Sequence, residues 1–140
     1  MKRIQWQQLA ECRILDAEAL LASHRWNAAY YLVGYAVEAA LKSCILKRLA
    51  TAVETIFEDR RFSEKCWTHD LKELLKLAGL ELAVRTDASQ NGHLEKNWEV
   101  VYDWSERSRY NSITHWQAKK LYRAIADEAN GVMKWTKAHW

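Results

Sequence analysis

Residues 26–49, WNAAYYLVGYAVEAALKSCILKRL, are the part of the sequence that decides the fold. Over residues 28–37 this stretch is apolar on nearly every side of a helix, which is typical of a helix at the centre of a bundle. It predicts a helix from Trp26 to about Leu49, around which other helices pack. Residues 26–41 are too few to span a bilayer and include Glu38, so they do not predict a membrane helix.

The sequence on both sides of this stretch predicts further helices. Apolar residues three and four apart indicate them, and polar residues that can cap a helix mark where they begin. The predicted elements are a first helix over residues 3–23, a short helix and an irregular connection over residues 51–67, a helix from His69 to about Ala78 that Thr68 caps and Gly79 ends, a weakly patterned segment over residues 80–93, a helix over residues 94–106, and a final helix after Thr114 that Gly131 could interrupt.

Composition supports an all-α fold. The chain has no proline and only four glycines, whereas the tight turns of a many-stranded β fold need residues that adopt a positive φ or, like proline, have a pre-set φ. Alanine, leucine, lysine and glutamate, which favour helices, are abundant. At 140 residues the chain predicts a single domain over residues 1–140, folded as a four- to five-helix up-and-down bundle.

The cysteines and the charge limit the class of protein. Cys12, Cys44 and Cys66 are odd in number and lack C-x-x-C spacing, so they predict neither a disulfide framework nor a zinc site. Together with an N-terminus that lacks a signal peptide, they predict a cytoplasmic protein with no metal and no cofactor. The net charge of +3 permits nucleic-acid binding without requiring it.

Arg109 and His115 are the residues most typical of a site. A guanidinium holds a phosphate with two hydrogen bonds, and an imidazole transfers protons near neutral pH. Thr114 and Gln117 match a capping box, which would place His115 at the first position of the final helix. Asn111, Ser112 and Thr114 could orient a substrate. The alternative interpretation is an arginine and a histidine that are close in sequence by chance and are simply solvated.

Several other residues allow two interpretations. Lys119, Lys120 and Arg123 could contact phosphates or form a solvated face. Glu38 could be a buried carboxylate bonded to a tyrosine or tryptophan, or it could face the site together with His69 and Asp70. His69 and Asp70 could instead help to start their helix. Trp135 and Trp140 could close a dimer or cover the end of the bundle.

Three blocks of the sequence resemble the HEPN domain (higher eukaryote and prokaryote nucleotide-binding), in its small stand-alone prokaryotic branch. They extend over about residues 13–130. The blocks are residues 16–42, which include YYLVGYAVEAALK; residues 68–75, THDLKELL; and residues 104–111, WSERSRYN, with the helix that follows.

The resemblance implies a helical bundle that forms a homodimer. In ribonuclease members, an arginine and a histidine separated by four to six residues form a metal-independent site that is composite across the dimer. Arg109 and His115 have five residues between them. Such enzymes leave a 2′,3′-cyclic phosphate and act as toxins or defence effectors. Some are silenced by a nucleotidyltransferase-type antitoxin that modifies a tyrosine two positions after the histidine, where this chain has Gln117.

Three functions stay open at this point. The chain could be an endoribonuclease that uses Arg109 and His115, with Lys119 among its substrate contacts. It could be a non-catalytic HEPN module that binds a nucleotide or a partner protein, with Arg109 as the anion anchor and His115 structural. It could also be a purely structural dimer subunit of a two-gene system.

Overall fold

A computed structural model describes residues 1–51 and 64–140 of the chain. Within these ranges the fold is all-helical, with seven α-helices, one 3-10 helix and no strand, which confirms the all-α prediction. The α-helices are α1 (Arg3–Ala22), α2 (Trp26–Thr51), α3 (Leu71–Leu77), α4 (Glu81–Gln90), α5 (Gly92–Tyr102), α6 (His115–Ala126) and α7 (Val132–Lys137), and the 3-10 helix is Glu106–Tyr110.

The predicted number of helices, four to five, was too low. Residues 81–90 form α4 although they bury only Val84, so their apolar pattern is weak. The final helix is divided into α6 and α7 at Gly131, where a Cβ atom would lie 2.4 Å from the backbone oxygen of Asp127. The short helix predicted within residues 51–67 falls largely outside the described residues.

The central position predicted for α2 is confirmed. It forms a hairpin with α1 through a three-residue turn, and it also contacts α3, α6, α7 and the 3-10 helix. Its middle is buried on every side, and so are side chains from all the helices that contact it. The largest fully buried side chains of the core include Leu41, Leu74, Trp98, Val101, Leu121, Ile125 and Val132. None of the described helices combines the length and apolar character needed to cross a membrane.

The start of α3 differs from the prediction in its capping residue. Asp70, rather than Thr68, is the N-cap, because its carboxylate accepts hydrogen bonds from the backbone N–H groups of Lys72 and Glu73. The hydroxyl of Thr68 instead accepts a hydrogen bond from the backbone N–H of Asp70. Gly79 ends the helix as predicted, with a φ of +72° that favours glycine.

The C-terminal tryptophans cover the end of the bundle. Trp135 packs edge-on against Trp98 and donates a hydrogen bond from its indole nitrogen to Asp87. Trp140 packs against the core, and the ammonium of Lys137 lies 5.3 Å from its ring centroid. Of the two roles expected for these residues, the packing within the chain therefore favours covering the bundle.

Gly34 allows a close approach of Trp104 to α2. A Cβ atom at this position would lie 2.0 Å from the indole of Trp104, which is itself buried. Trp104 also contacts Tyr35 edge-on, with 5.1 Å between ring centroids. Because Trp104 lies two residues before the 3-10 helix, this contact fixes where the segment that carries Arg109 leaves the core.

We expect Gly34→Ala to lower the free energy of unfolding by about 1–3 kcal/mol, because a methyl group there overpacks the contact with Trp104. The matched control is Gly92→Ala. Position 92 has no atom within 4 Å of an added Cβ. We expect this control to leave stability unchanged or raise it by up to about 1 kcal/mol through helix propensity. Urea unfolding measures both, and equal stability of the two variants would contradict the packing described for Gly34.

Candidate functional site

The segment from Trp104 to His115 runs back along α2 towards its first residue. Trp104 packs on Gly34, and Arg109 lies beside Tyr31. The backbone of residues 111–113 bonds to Asn27, and the ring of His115 contacts Trp26. As residue numbers rise in the segment, they fall in α2, so each site residue is matched to a position on the helix.

Asn27 holds the loop between the 3-10 helix and α6. Its amide nitrogen donates to the backbone oxygen of Asn111 at 3.0 Å, and its amide oxygen accepts from the backbone N–H of Ile113 at 2.7 Å. Both polar ends of one side chain are therefore used on the same short loop. Sequence reasoning missed this role, since the partners are 84 and 86 residues apart.

His115 is the first residue of α6, as predicted. The Thr114 hydroxyl accepts from the backbone N–H of Gln117, and the Gln117 side chain accepts from the backbone N–H of Thr114, which completes the capping box. The His115 ring lies 4.8 Å from the centroid of Trp26 and 4.9 Å from that of Trp116. It is half-buried, so a ligand can still reach it.

Arg109 presents its guanidinium to solvent from the 3-10 helix. Hydrogen bonding to Tyr31, and then to Tyr110, raises its pKa above a value that is already high. The guanidinium carbon lies 4.7 Å from the centroid of the Tyr110 ring. The group is therefore a permanent cation, held near α2 by tyrosines and paired with no carboxylate in the described residues.

Arg109 and His115 share one end of α2 but do not touch. Across residues 1–51 and 64–140, no hydrogen bond, ion pair or ring contact joins them. Arg109 is next to Tyr31, and His115 is next to Trp26, five residues earlier on the helix. A ligand phosphate could contact both Arg109 and His115 only if it spanned the space between them, or if Arg109 came from one chain and His115 from another.

The other residues predicted to contact substrate differ in whether their side chains are free to do so. Asn111 and Ser112 are exposed, and within the described chain their side chains make no hydrogen bond. The hydroxyl of Thr114 is committed to the capping box. Lys119 lies one turn beyond His115, in a groove between α5 and α6.

Glu38 is a buried carboxylate, but its partners are not the tyrosine or tryptophan that was expected. One carboxylate oxygen is 2.7 Å from the ammonium of Lys42, which is also buried, and the other is 3.0 Å from Nδ1 of His69. Tyr35 lies edge-on to the His69 ring. Burial raises the pKa of Tyr35, and a hydrogen bond with the Tyr31 hydroxyl raises it further.

These residues do not support His115 directly. Glu38 follows Trp26 by twelve positions, or about 18 Å along a helix axis. Asp70 is part of neither the Glu38 cluster nor the surroundings of His115, because its carboxylate caps α3. Glu38 and His69 are instead connected towards Arg109, through Tyr35 and Tyr31. The signal for this cluster was present in the sequence: Tyr31, Tyr35, Glu38 and Lys42 form a polar stripe at helical spacing on an otherwise apolar helix.

The described residues contain no group of three or more histidine, cysteine, aspartate or glutamate side chains that could hold a metal ion. The three cysteines are free thiols. Burial raises the pKa of Cys44 to about 12, so this thiol stays protonated at neutral pH.

Comparison of the chain with protein-family models, curated proteins and solved structures gave no match.

We expect Glu38→Ala to cost about 3–5 kcal/mol of stability, because it leaves the ammonium of Lys42 buried without a carboxylate partner. The double variant Glu38→Leu with Lys42→Met keeps the volume and removes both charges, so it should recover most of that loss. His69 is half-exposed, so His69→Ala should cost much less than Glu38→Ala. Guanidinium unfolding of all three variants checks this, and a double variant as unstable as Glu38→Ala would contradict it.

Proposed function

We propose that the chain is a metal-independent endoribonuclease of HEPN type, which cleaves RNA with Arg109 and His115 at the interface of a homodimer. The observation that carries this proposal is the loop that Asn27 holds against α2. This loop presents a permanently charged, exposed guanidinium before it and a half-exposed imidazole after it. When the 2′-hydroxyl of a ribose attacks the neighbouring phosphodiester of RNA, an imidazole can accept the hydroxyl proton and a guanidinium can stabilise the charge on the phosphate.

In the proposed reaction, His115 accepts the proton of the ribose 2′-hydroxyl. The 2′ oxygen then forms a bond to phosphorus as the bond from phosphorus to the 5′ oxygen breaks. The proton passes to that 5′ oxygen, so the products are a 2′,3′-cyclic phosphate and a 5′-hydroxyl end. Arg109 stabilises the negative charge that develops on the phosphate oxygens. Asn111 and Ser112 are free to orient the substrate.

The proposal of a dimer has two supports. Arg109 and His115 make no contact within one chain, so a second copy offers a way to complete the pair. Beside Arg109, the Tyr110 ring is 76% exposed, which leaves apolar surface that a second copy could cover. In this arrangement Arg109 of one chain and His115 of the other hold the same phosphate.

The biological setting follows from the resemblance. By that resemblance, we propose that the chain acts as a toxin or defence effector and that a partner silences it. A nucleotidyltransferase-type antitoxin fits that role. With Gln117 in place of the tyrosine that such partners modify, we propose that this partner would act by binding rather than by modifying that position.

A second function is favoured by the same gap between Arg109 and His115. In a non-catalytic HEPN module, Arg109 anchors the anion of a nucleotide or partner protein, and His115 only packs between Trp26 and Trp116. Such a module would bind its ligand without cutting it.

The test is incubation of the protein with single-stranded RNA in EDTA. We expect cleavage that leaves 2′,3′-cyclic phosphate ends, and a fall of about 100-fold or more for His115→Ala, the usual loss when an acid–base group is removed. Arg109→Lys keeps the positive charge but cannot make the bidentate contact with the phosphate, so it should also impair cleavage. Lys76→Ala, which removes an exposed side chain on α3, is the control and should cleave normally. Cleavage that needs added metal, or that survives His115→Ala, would contradict the mechanism.

A further inference from the structure

A groove of about 620 Å³ lies between α5 and α6. Each helix turns one face into it with regular spacing. From α5 these residues are His93, Lys96, Asn97 and Val100, and from α6 they are Trp116, Lys119, Lys120 and Arg123. Positions three, four and seven apart share one face of a helix, so the two faces oppose each other along about two turns.

The groove is strongly basic. Lys96, Lys119, Lys120 and Arg123 line it, and none of them forms an ion pair with another described residue. The carboxylate among the lining residues is Asp127, which accepts a hydrogen bond from the backbone N–H of Asn130. Four cations against one carboxylate in a cleft focus a positive potential, which attracts a polyanion.

An exposed aromatic ring stands at the end of the groove nearest to His115. Trp116 lines the groove, is 72% exposed, and lies beside the ring of His115. An indole left open to solvent at the edge of a basic groove is a platform on which an unpaired base can stack. An acidic peptide could pair with the lysines, but it would have no comparable use for the indole.

We propose that this groove binds single-stranded RNA, with its phosphates on Lys96, Lys119 and Arg123 and one base stacked on Trp116. This inference rests on the proposed function, because RNA bound in the groove would extend along it to His115, the proposed catalytic residue. A duplex keeps its bases stacked on each other and offers no free face to Trp116, so single strands are preferred. The contacts are to phosphates and to one stacked base, so they imply little preference for sequence.

The experiment measures binding apart from cleavage. A fluorescent 12-nucleotide RNA with 2′-O-methyl riboses cannot be cut by its own 2′ oxygen, so the wild-type chain can be titrated by anisotropy. We expect Trp116→Ala to weaken binding by roughly 5- to 150-fold, the range for loss of one base stack. Trp116→Phe should restore part of the affinity. Lys96→Ala and Lys119→Ala should each weaken binding. Each should also reduce the slope of the logarithm of affinity against the logarithm of salt concentration by about the amount that one phosphate contact contributes.

Lys76→Ala on α3 and Lys134→Ala on α7 are the controls, since both remove an exposed lysine away from the groove. They should bind like the wild type. A duplex of the same sequence should bind more weakly, and a poly-glutamate peptide should compete poorly. Equal affinity of the groove variants and the controls, no binding of the RNA, or tighter binding of the peptide would each overturn the inference.

The outcome separates this inference from the proposed function. If the groove variants lose affinity but the wild type leaves unmodified RNA intact, the groove stands and the nuclease proposal fails. If the wild type cleaves RNA but the groove variants bind and cleave normally, the nuclease proposal stands and the groove is wrong.

Discussion

The contact between Gly34 and the indole of Trp104 fixes the central helix to the segment that carries the candidate site. It is one attachment of that segment to α2, and the hydrogen bonds of Asn27 are another. The two lie seven residues apart on α2, or about 10 Å along its axis. Arg109 is held between them and His115 just beyond them, so the positions of both depend on the path that these attachments impose.

The structure separates two groups of charged residues that the sequence could not tell apart. Glu38 and Lys42 form a buried ion pair, and the half-exposed His69 contacts the same carboxylate, which ties the loop before α3 to α2. Arg109, by contrast, has no carboxylate partner in the described residues, and His115 has only aromatic neighbours among the ring contacts. A satisfied cluster contributes to the fold, whereas an unpaired cation and an accessible imidazole are each available to a ligand.

Local sequence signals predicted the local features well. The apolar stretch of α2, the capping box at Thr114 and Gln117, and the turn at Gly79 all depend on residues within a few positions of each other, and the structure confirms them. The cap of α3 was misassigned by two residues because Thr68 and Asp70 are both good N-caps.

The features that the sequence did not reveal depend on residues far apart in the chain. The Asn27 bonds join residues more than 80 positions apart, and the hydrogen bond between Glu38 and His69 joins residues 31 apart. The groove between α5 and α6 likewise needs both helices in place before Lys96 and Lys119 share one surface. Periodicity within one helix shows which residues share a face, but not which face of another helix they meet.

If Arg109 of one chain and His115 of another form one site, two inactive variants should complement each other and restore activity when their subunits are mixed. Arg109→Ala and His115→Ala would be purified separately, mixed in equal amounts, allowed to exchange subunits, and tested for RNA cleavage in EDTA. Half of the dimers would then be mixed, and each mixed dimer would have one intact site, so about one quarter of wild-type activity should return. A mixture as inactive as either variant alone, while the wild type cleaves, would contradict a site shared between two chains.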